Sequence, residues 1–318
     1  MTGRRLAVVG GNGFIGQEVV RQAVCAGWEV LSIDPAAPRR PAVLPSVRHA
    51  ALGITDEEAL TAALTDFAPH AAVNLAAYGE GTDGLAGGAG SNPARAVDVN
   101  VRGTAVLLRA LQRSGCRHLS WSSSSTVYGP RADYGHVEVV EDVIVAPQLV
   151  YGATKVGAEQ IARVLAPGYG IRAVGVRLPL VYGSGRWYGG SQRDLVTFAE
   201  RVAAGEPAHL RAWTDAADWM HVDDAARCLL ECAANPAATA PVYNATGHRS
   251  SLFALGTALV AATGATATAH VEAASDGAPD LPFMDTTRIR TDIGFAPRFA
   301  DPASGARRYL DPSQEDIA

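Results

Sequence analysis

The chain has 318 residues, 48% of them hydrophobic, and a mean hydropathy of +0.06, enough apolar content for one large α/β unit or two unequal domains. A formal charge of −5 and a pI near 5.9 leave no basic footprint for nucleic acid. Any anionic ligand therefore needs a local site. No stretch approaches ~18 uninterrupted apolar residues, so no membrane span is expected, and the opening MTGRRLAVVGG enters a strand without the apolar core of a leader. Cys25, Cys116, Cys228 and Cys232 lack metal-ligand spacing; no metal site is expected, and they read as buried free thiols of a cytoplasmic protein.

Residues 6–9 form a short apolar run without polar alternation, as in a strand buried on both faces of a parallel sheet. It leads into Gly10, Gly13 and Gly16, spaced GxxGxxG, and then a helix over 17–26 stopped by Gly27. Strand, glycine turn and helix together point to a dinucleotide, whose pyrophosphate is favoured at a helix N-terminus. A second strand over 29–33 ends at Asp34, where a carboxylate accepts from ribose hydroxyls and repels a 2′-phosphate. NAD is thus expected in preference to NADP, although Arg39 and Arg40 could counter that carboxylate.

Strand 47–52 precedes a helix with Thr55 as expected N-cap and Glu58 at the capping-box position. Strand 71–77 is followed by residues 79–90, which hold six glycines and read as a substrate-side loop. A long helix over 93–114 and a strand over 118–121 deliver the serine run 122–125. Further on come strand 172–178, an excursion with a helix over 194–204, a helix ending at Ala234 and a short strand 242–244.

One lysine stands against 26 arginines, and it is Lys155. Residues four apart share a helix face, so Tyr151 and Lys155 point the same way, with Pro147 keeping the preceding segment out of the helix. A cation beside a phenol favours its ionised form, and an ammonium can bond ribose hydroxyls in ways a planar guanidinium cannot. A solvated surface pair is the competing reading.

The motifs GGNGFIG (10–16), NLAAY (74–78), VNVRGT (99–104), SSSSTVYG (122–129), YGATK (151–155), RLPLVYG (177–183), HVDD (221–224), YNATG (243–247) and DIGFAP (292–297) cover nearly the whole chain. In that order they resemble the extended short-chain dehydrogenase/reductase family, in its NAD-dependent epimerase/dehydratase group typified by UDP-galactose 4-epimerase. The alternation of strands and helices predicts a Rossmann-like doubly wound parallel sheet with a smaller C-terminal substrate-binding region. The same pattern divides the chain into a cofactor domain of 1–178 with 215–245 and a substrate region of 179–214 with 246–318. The resemblance adds roles for residues. It implies Ser124, Tyr151 and Lys155 as catalytic. Around NAD it implies Gly10, Gly13, Phe14, Ile15, Gly16, Asp34, Ile54, Leu75, Ala76, Ala77, Asn100, Ser122 and Pro179 besides Tyr151 and Lys155. Toward substrate it implies Ser124, Ser125, Tyr151, Leu180 and Arg186.

The resemblance further implies reversible hydride transfer at a secondary alcohol of a sugar or nucleotide sugar, and a homodimer pairing the 93–114 and 151–165 helices. Val106, Ala110, Val156 and Ile161 are expected on the outward faces. Departures narrow the reading. Ser125 and Thr126 replace the acidic pair of dehydratases, which argues against β-elimination. Leu180 replaces an asparagine, Ala217 an arginine and Gly53 an aspartate, and the arginine that the resemblance would place shortly before the last motif has no clear match near Pro279 and Asp280. A diphosphate left unpaired in a buried site is costly, so a dehydrogenase of a polyol, sugar acid or similar compound stays open. A non-catalytic NAD(P) sensor is a third reading, opposed by the intact Ser-Tyr-Lys set.

Overall fold

A computed structural model describes residues 3–38, 46–79, 83–135, 137–264 and 268–311. The first half alternates strand and helix: β1 (Arg4–Val9), α1 (Phe14–Cys25), β2 (Trp28–Ile33), β3 (Val47–Ala50), α2 (Glu57–Phe67), β4 (Ala71–Asn74), α3 (Gly84–Ser91) and α4 (Pro93–Val97). After a π turn (Asp98–Arg102) come α5 (Gly103–Ser114), β5 (His118–Ser124), α6 (Val150–Gly168), β6 (Arg172–Leu178) and β7 (Leu180–Tyr182). The remainder is α7 (Arg193–Ala203), β8 (Ala208–Trp213), β9 (Ala217–His221), α8 (Val222–Ala234), β10 (Val242–Asn244), β11 (His248–Ser250), α9 (Leu252–Thr263), β12 (Ala269–Ala274), α10 (Thr287–Ile293) and α11 (Pro302–Leu310).

Seven strands form one parallel sheet in the order β10-β6-β5-β4-β1-β2-β3. This is the Rossmann-like α/β fold expected from the alternation. Side chains alternate faces along each strand, so β1 sends Leu6 and Val8 to the core under α1 and α8, and Ala7 and Val9 to the core under α2, α5 and α6. The order reverses between β1 and β4, and ligands of open α/β sheets bind at such a point, beyond the carboxyl ends of the strands. A three-stranded sheet (β11-β9-β7) and a two-stranded one (β12-β8) are added beside the large sheet. Around them Phe198, Leu210, Trp219 and Leu255 build a third core.

Several local expectations are corrected. The cap of α2 is Asp56, which accepts from the Ala59 amide at 3.1 Å, because the helix begins one residue later than Thr55 would require. Within 79–90 the residues from Gly84 on are helical despite their glycines, since Gly84, Gly88 and Ala89 are buried and small side chains allow close packing. The 93–114 helix is broken by the π turn at Asp98–Arg102. Cys25 is exposed, while Cys116, Cys228 and Cys232 are buried; burial pushes the Cys116 thiol up to about 11. Val106 and Ala110 face inward against the sheet instead of outward. Arg39 and Arg40 lie outside the described residues. Among the described residues no helix is long and apolar enough to cross a membrane.

Candidate active site

The residues singled out in the sequence collect at the carboxyl end of the large sheet. Gly10 follows β1, with φ +80°, and a Cβ there would lie 2.7 Å from the Ala76 nitrogen and the Leu75 carbonyl carbon, both just beyond β4. Only a bare backbone lets the turn lie so close to its neighbour across the reversal point. Gly13 is the N-cap of α1, and Phe14, Ile15 and Gly16 form its first turn, where amides lack intrahelical partners. Asp34 stands at the end of β2; its carboxylate accepts from the Asn12 amide at 3.1 Å and the Ala36 amide at 2.9 Å. Ile54 is buried, in the core beneath α5. A turn of backbone amides at a helix N-terminus with a carboxylate beside it fits the pyrophosphate and ribose of a dinucleotide.

Tyr151 and Lys155 sit in the first two turns of α6, both buried, with the Lys155 Nζ 5.4 Å from the Tyr151 ring centroid. Lys155 Nζ donates to the Ser122 carbonyl at 2.8 Å. Ser122 is in β5, which ends at Ser124, so one bond ties the lysine to the strand that carries the hydroxyl. The Ser124 Oγ accepts from the Thr126 amide at 3.2 Å and the Thr126 hydroxyl at 2.9 Å, capping a single 3-10 turn that includes buried Ser125. Helix α6 presses on that turn: a Cβ on Gly152 would lie 2.1 Å from the Thr126 carbonyl oxygen.

Asn100 lies buried in the π turn, an irregularity frequent at functional sites. Its Oδ1 accepts from the Tyr78 amide at 2.8 Å and its Nδ2 donates to Thr154 Oγ1 at 2.8 Å, while Thr154 donates to the Tyr151 carbonyl at 2.7 Å. The segment after β4 is thereby joined to α6.

Burial dominates the electrostatics. It lowers the Lys155 ammonium to about 8, opposed by the Glu159 carboxylate. It raises the Tyr151 phenol well above its usual value, with Tyr188 adding to the effect. The expected lowering of the phenol by the cation is thus outweighed by desolvation in the protein side chains alone.

The substrate-side residues divide. Pro179 joins β6 to β7; Leu180 opens β7, pairs with Trp219 and packs on the third core. Arg186 lies over Tyr188 (4.5 Å) and Phe14 (5.7 Å) and donates to the carbonyls of Val181 at 2.8 Å and Tyr188 at 3.0 Å. Tyr188 stands edge-on to Phe14 with centroids 6.4 Å apart. Sequence reasoning passed over Tyr188, Glu159 and Arg177. Only Glu159 carried a signal, its place four residues after Lys155.

The family model for the NAD dependent epimerase/dehydratase family matches residues 6–246. A dTDP-glucose 4,6-dehydratase of Mycobacterium tuberculosis is 31% identical over 228 residues, which is 69% of this chain and 66% of that protein. A UDP-glucose 4-epimerase of Mycolicibacterium smegmatis is 28% identical over 305 residues, covering 93% of this chain and 94% of that one. Among solved structures, the UDP-glucose 4-epimerase of Thermus thermophilus in complex with NAD superposes with a TM-score of 0.78 at 23% identity, over 96% of this chain and 98% of that one, a likeness of fold. With its glycine turn, its parallel sheet and a family match over three quarters of its length, the chain belongs to the NAD dependent epimerase/dehydratase family.

Proposed function

We propose that the protein is an NAD-dependent oxidoreductase of the epimerase type, acting reversibly at a secondary alcohol of a sugar or nucleotide sugar. One observation carries the reading: Tyr151 and the solitary Lys155 are buried together, with the ammonium on the Ser122 carbonyl two residues before Ser124. In this reading the phenol exchanges a proton with the alcohol while the serine hydroxyl bonds the same oxygen. NAD would be held by the turn at Gly10–Gly16, by Asp34 and by Lys155, and when bound supplies the hydride acceptor and donor. With the cofactor in place, Tyr151 would act as phenolate, taking the hydroxyl proton to become phenol as the carbonyl forms, and as phenol would return that proton as the carbonyl is reduced. Lys155 holds positive charge beside the phenol and offsets charge that develops there. Residues 1–178 with 215–245 serve the cofactor in this reading, and 179–214 with 246–318 the substrate.

β-Elimination requires an acid and a base beyond the oxidised carbon; Ser125 and Thr126, which follow Ser124, bear no carboxyl group. That sets the reading apart from a 4,6-dehydratase. A second reading, a dehydrogenase of a non-nucleotide alcohol, is favoured by Leu180, which is apolar and committed to the third core. Incubation with NAD and a panel of UDP- and dTDP-sugars, sugar acids and polyols tests both. Interconversion of two epimers without accumulated NADH supports epimerisation; stoichiometric NADH from a simple polyol supports the second reading. Absence of turnover across a panel that includes the true alcohol class, with NAD still bound, would favour a sensor.

A further inference from the structure

Glu159 lies one helical turn beyond Lys155, and residues four apart share a helix face. Its side chain is 9% exposed. Oε1 accepts from the Ser123 hydroxyl at 2.6 Å and from Arg177 Nε at 3.0 Å, and Oε2 accepts from Arg177 Nη2 at 2.7 Å. Ser123 stands between Ser122, which takes the lysine ammonium, and Ser124; it is also the register partner of Arg177 across β5 and β6. Arg177 continues to the Tyr128 hydroxyl at 2.8 Å and the Glu141 carbonyl at 3.0 Å. One carboxylate therefore joins the helix bearing Tyr151 and Lys155 to the strand bearing the three serines.

A buried ion pair is weak as a device for stability, since well-packed apolar side chains often do as well or better. What apolar side chains cannot supply is a field. Among the described residues, other charged groups on the elements packed against α6 are engaged away from Lys155. Tyr151 is neutral, raised by burial; Tyr128 is likewise raised, to about 12. Helix α3 carries no titratable side chain. Asp98 of the π turn is bound to Arg95 and Arg102, and Arg109 of α5 reaches Glu57. Glu159, although it also binds Arg177, lies on the same face of α6 as Lys155, and its charge opposes the effect of burial on the ammonium.

We propose that Glu159 is a positioning residue, the counter-charge that keeps Lys155 cationic on the Ser122 carbonyl, and that Arg177 sets its strength by sharing the carboxylate. The consequence for catalysis rests on the reading of Tyr151 and Lys155 given above; the counter-charge itself does not. Too strong a partner would hold the ammonium away from the phenol, and none would let it lose its proton in a dry site. Arg177 accordingly tempers Glu159.

Because Lys155 is the only lysine, labelling the full chain with lysine carrying carbon-13 at Cε yields one lysine resonance, whose pH titration reads the ammonium without substrate. The native midpoint is expected at about 8. Glu159→Gln should lower it by on the order of one pH unit. Arg177→Met should raise it by a similar amount, since the carboxylate is then unshared. Glu159→Asp, which retains the charge, should stay nearer the native midpoint than Glu159→Gln. A purely structural bolt predicts no opposed shifts. An unmoved midpoint in Glu159→Gln, or a fall in Arg177→Met, overturns the proposal; should one of these fail to fold, the other decides. A chain that shows the opposed shifts but oxidises no alcohol would overturn the proposed function and leave the counter-charge standing.

Discussion

The Lys155 ammonium gives up its hydration to sit on one carbonyl, so it weighs on folding, whereas its proposed role is in turnover. Removing it separates the two effects. Lys155→Met should lose nearly all turnover yet leave stability at pH 7 equal or higher in denaturant titrations, because a desolvated cation is gone. Lys155→Arg should fold and lose most activity, since the guanidinium keeps the charge but not the compact donor geometry. Tyr151→Phe should cost on the order of 10²–10⁴ in rate while NAD remains bound, as only the phenolic oxygen is removed. The proposed role of Asp34 is tested at the same scale: isothermal titration should show NAD binding more tightly than NADP, and Asp34→Ala should narrow the gap by relieving repulsion of a 2′-phosphate.

Helix α6 and the turn after β5 are held at a distance that only glycine permits. In Gly152→Ala the new methyl would meet the Thr126 carbonyl, which is backbone and cannot rotate away. Overpacking of this kind typically costs about 1–3 kcal/mol, and relief requires α6 to move with Tyr151 on it. Denaturant midpoints should fall accordingly, and kcat should fall more than the stability loss explains. Unchanged kcat in a folded Gly152→Ala protein would mean that the spacing of α6 and the Ser124 turn does not govern the chemistry.

For the whole molecule, two properties follow from what is buried and what is not. His248 is buried, its Nε2 3.0 Å from the Tyr182 hydroxyl, and burial lowers it from 6.5 to about 4. A histidine held neutral in the fold but free to protonate when unfolded contributes stability that is complete above about 6.5 and lost as pH falls toward 4. At 1.36 kcal/mol per unit, a shift from 6.5 to about 4 bounds the loss at roughly 3.4 kcal/mol. Asp223, whose carboxyl is lowered, titrates below that window. Urea titrations at pH 7.5 and pH 5 should show the loss, and His248→Gln should flatten it. In the second property, Val97 on α4 and Val164 on α6 are 50% and 69% exposed, which fits an expected homodimer through these helices better than the inward Val106 and Ala110. Light scattering should give a dimer, and Val97→Glu with Val164→Glu a monomer of unchanged fold.

Local and periodic features were legible in the amino-acid order: the strand and helix alternation, the glycine turn, Asp34 at the end of β2, and Tyr151 four residues before Lys155. Each depends on neighbours within a few positions, where sterics, capping and the helical repeat act without the rest of the chain. Strands β6 and β10 could be read to the residue because prolines bound them, Pro179 after β6 and Pro241 before β10. Other features depend on partners far along the chain. Helix α3 forms from a glycine-rich run that packs on α6 and α4, surfaces that meet it only in the folded chain. Strand β7 finds β9, and β9 finds β11, from three separate stretches of sequence. The inward turn of Val106 and Ala110 follows from the π turn and the sheet behind it. Most of all, the choice of Arg177 and Ser123 as partners of Glu159 was settled by β5 and β6 lying side by side in one register, because a buried charge is defined by the groups that surround it and these meet only when the fold closes.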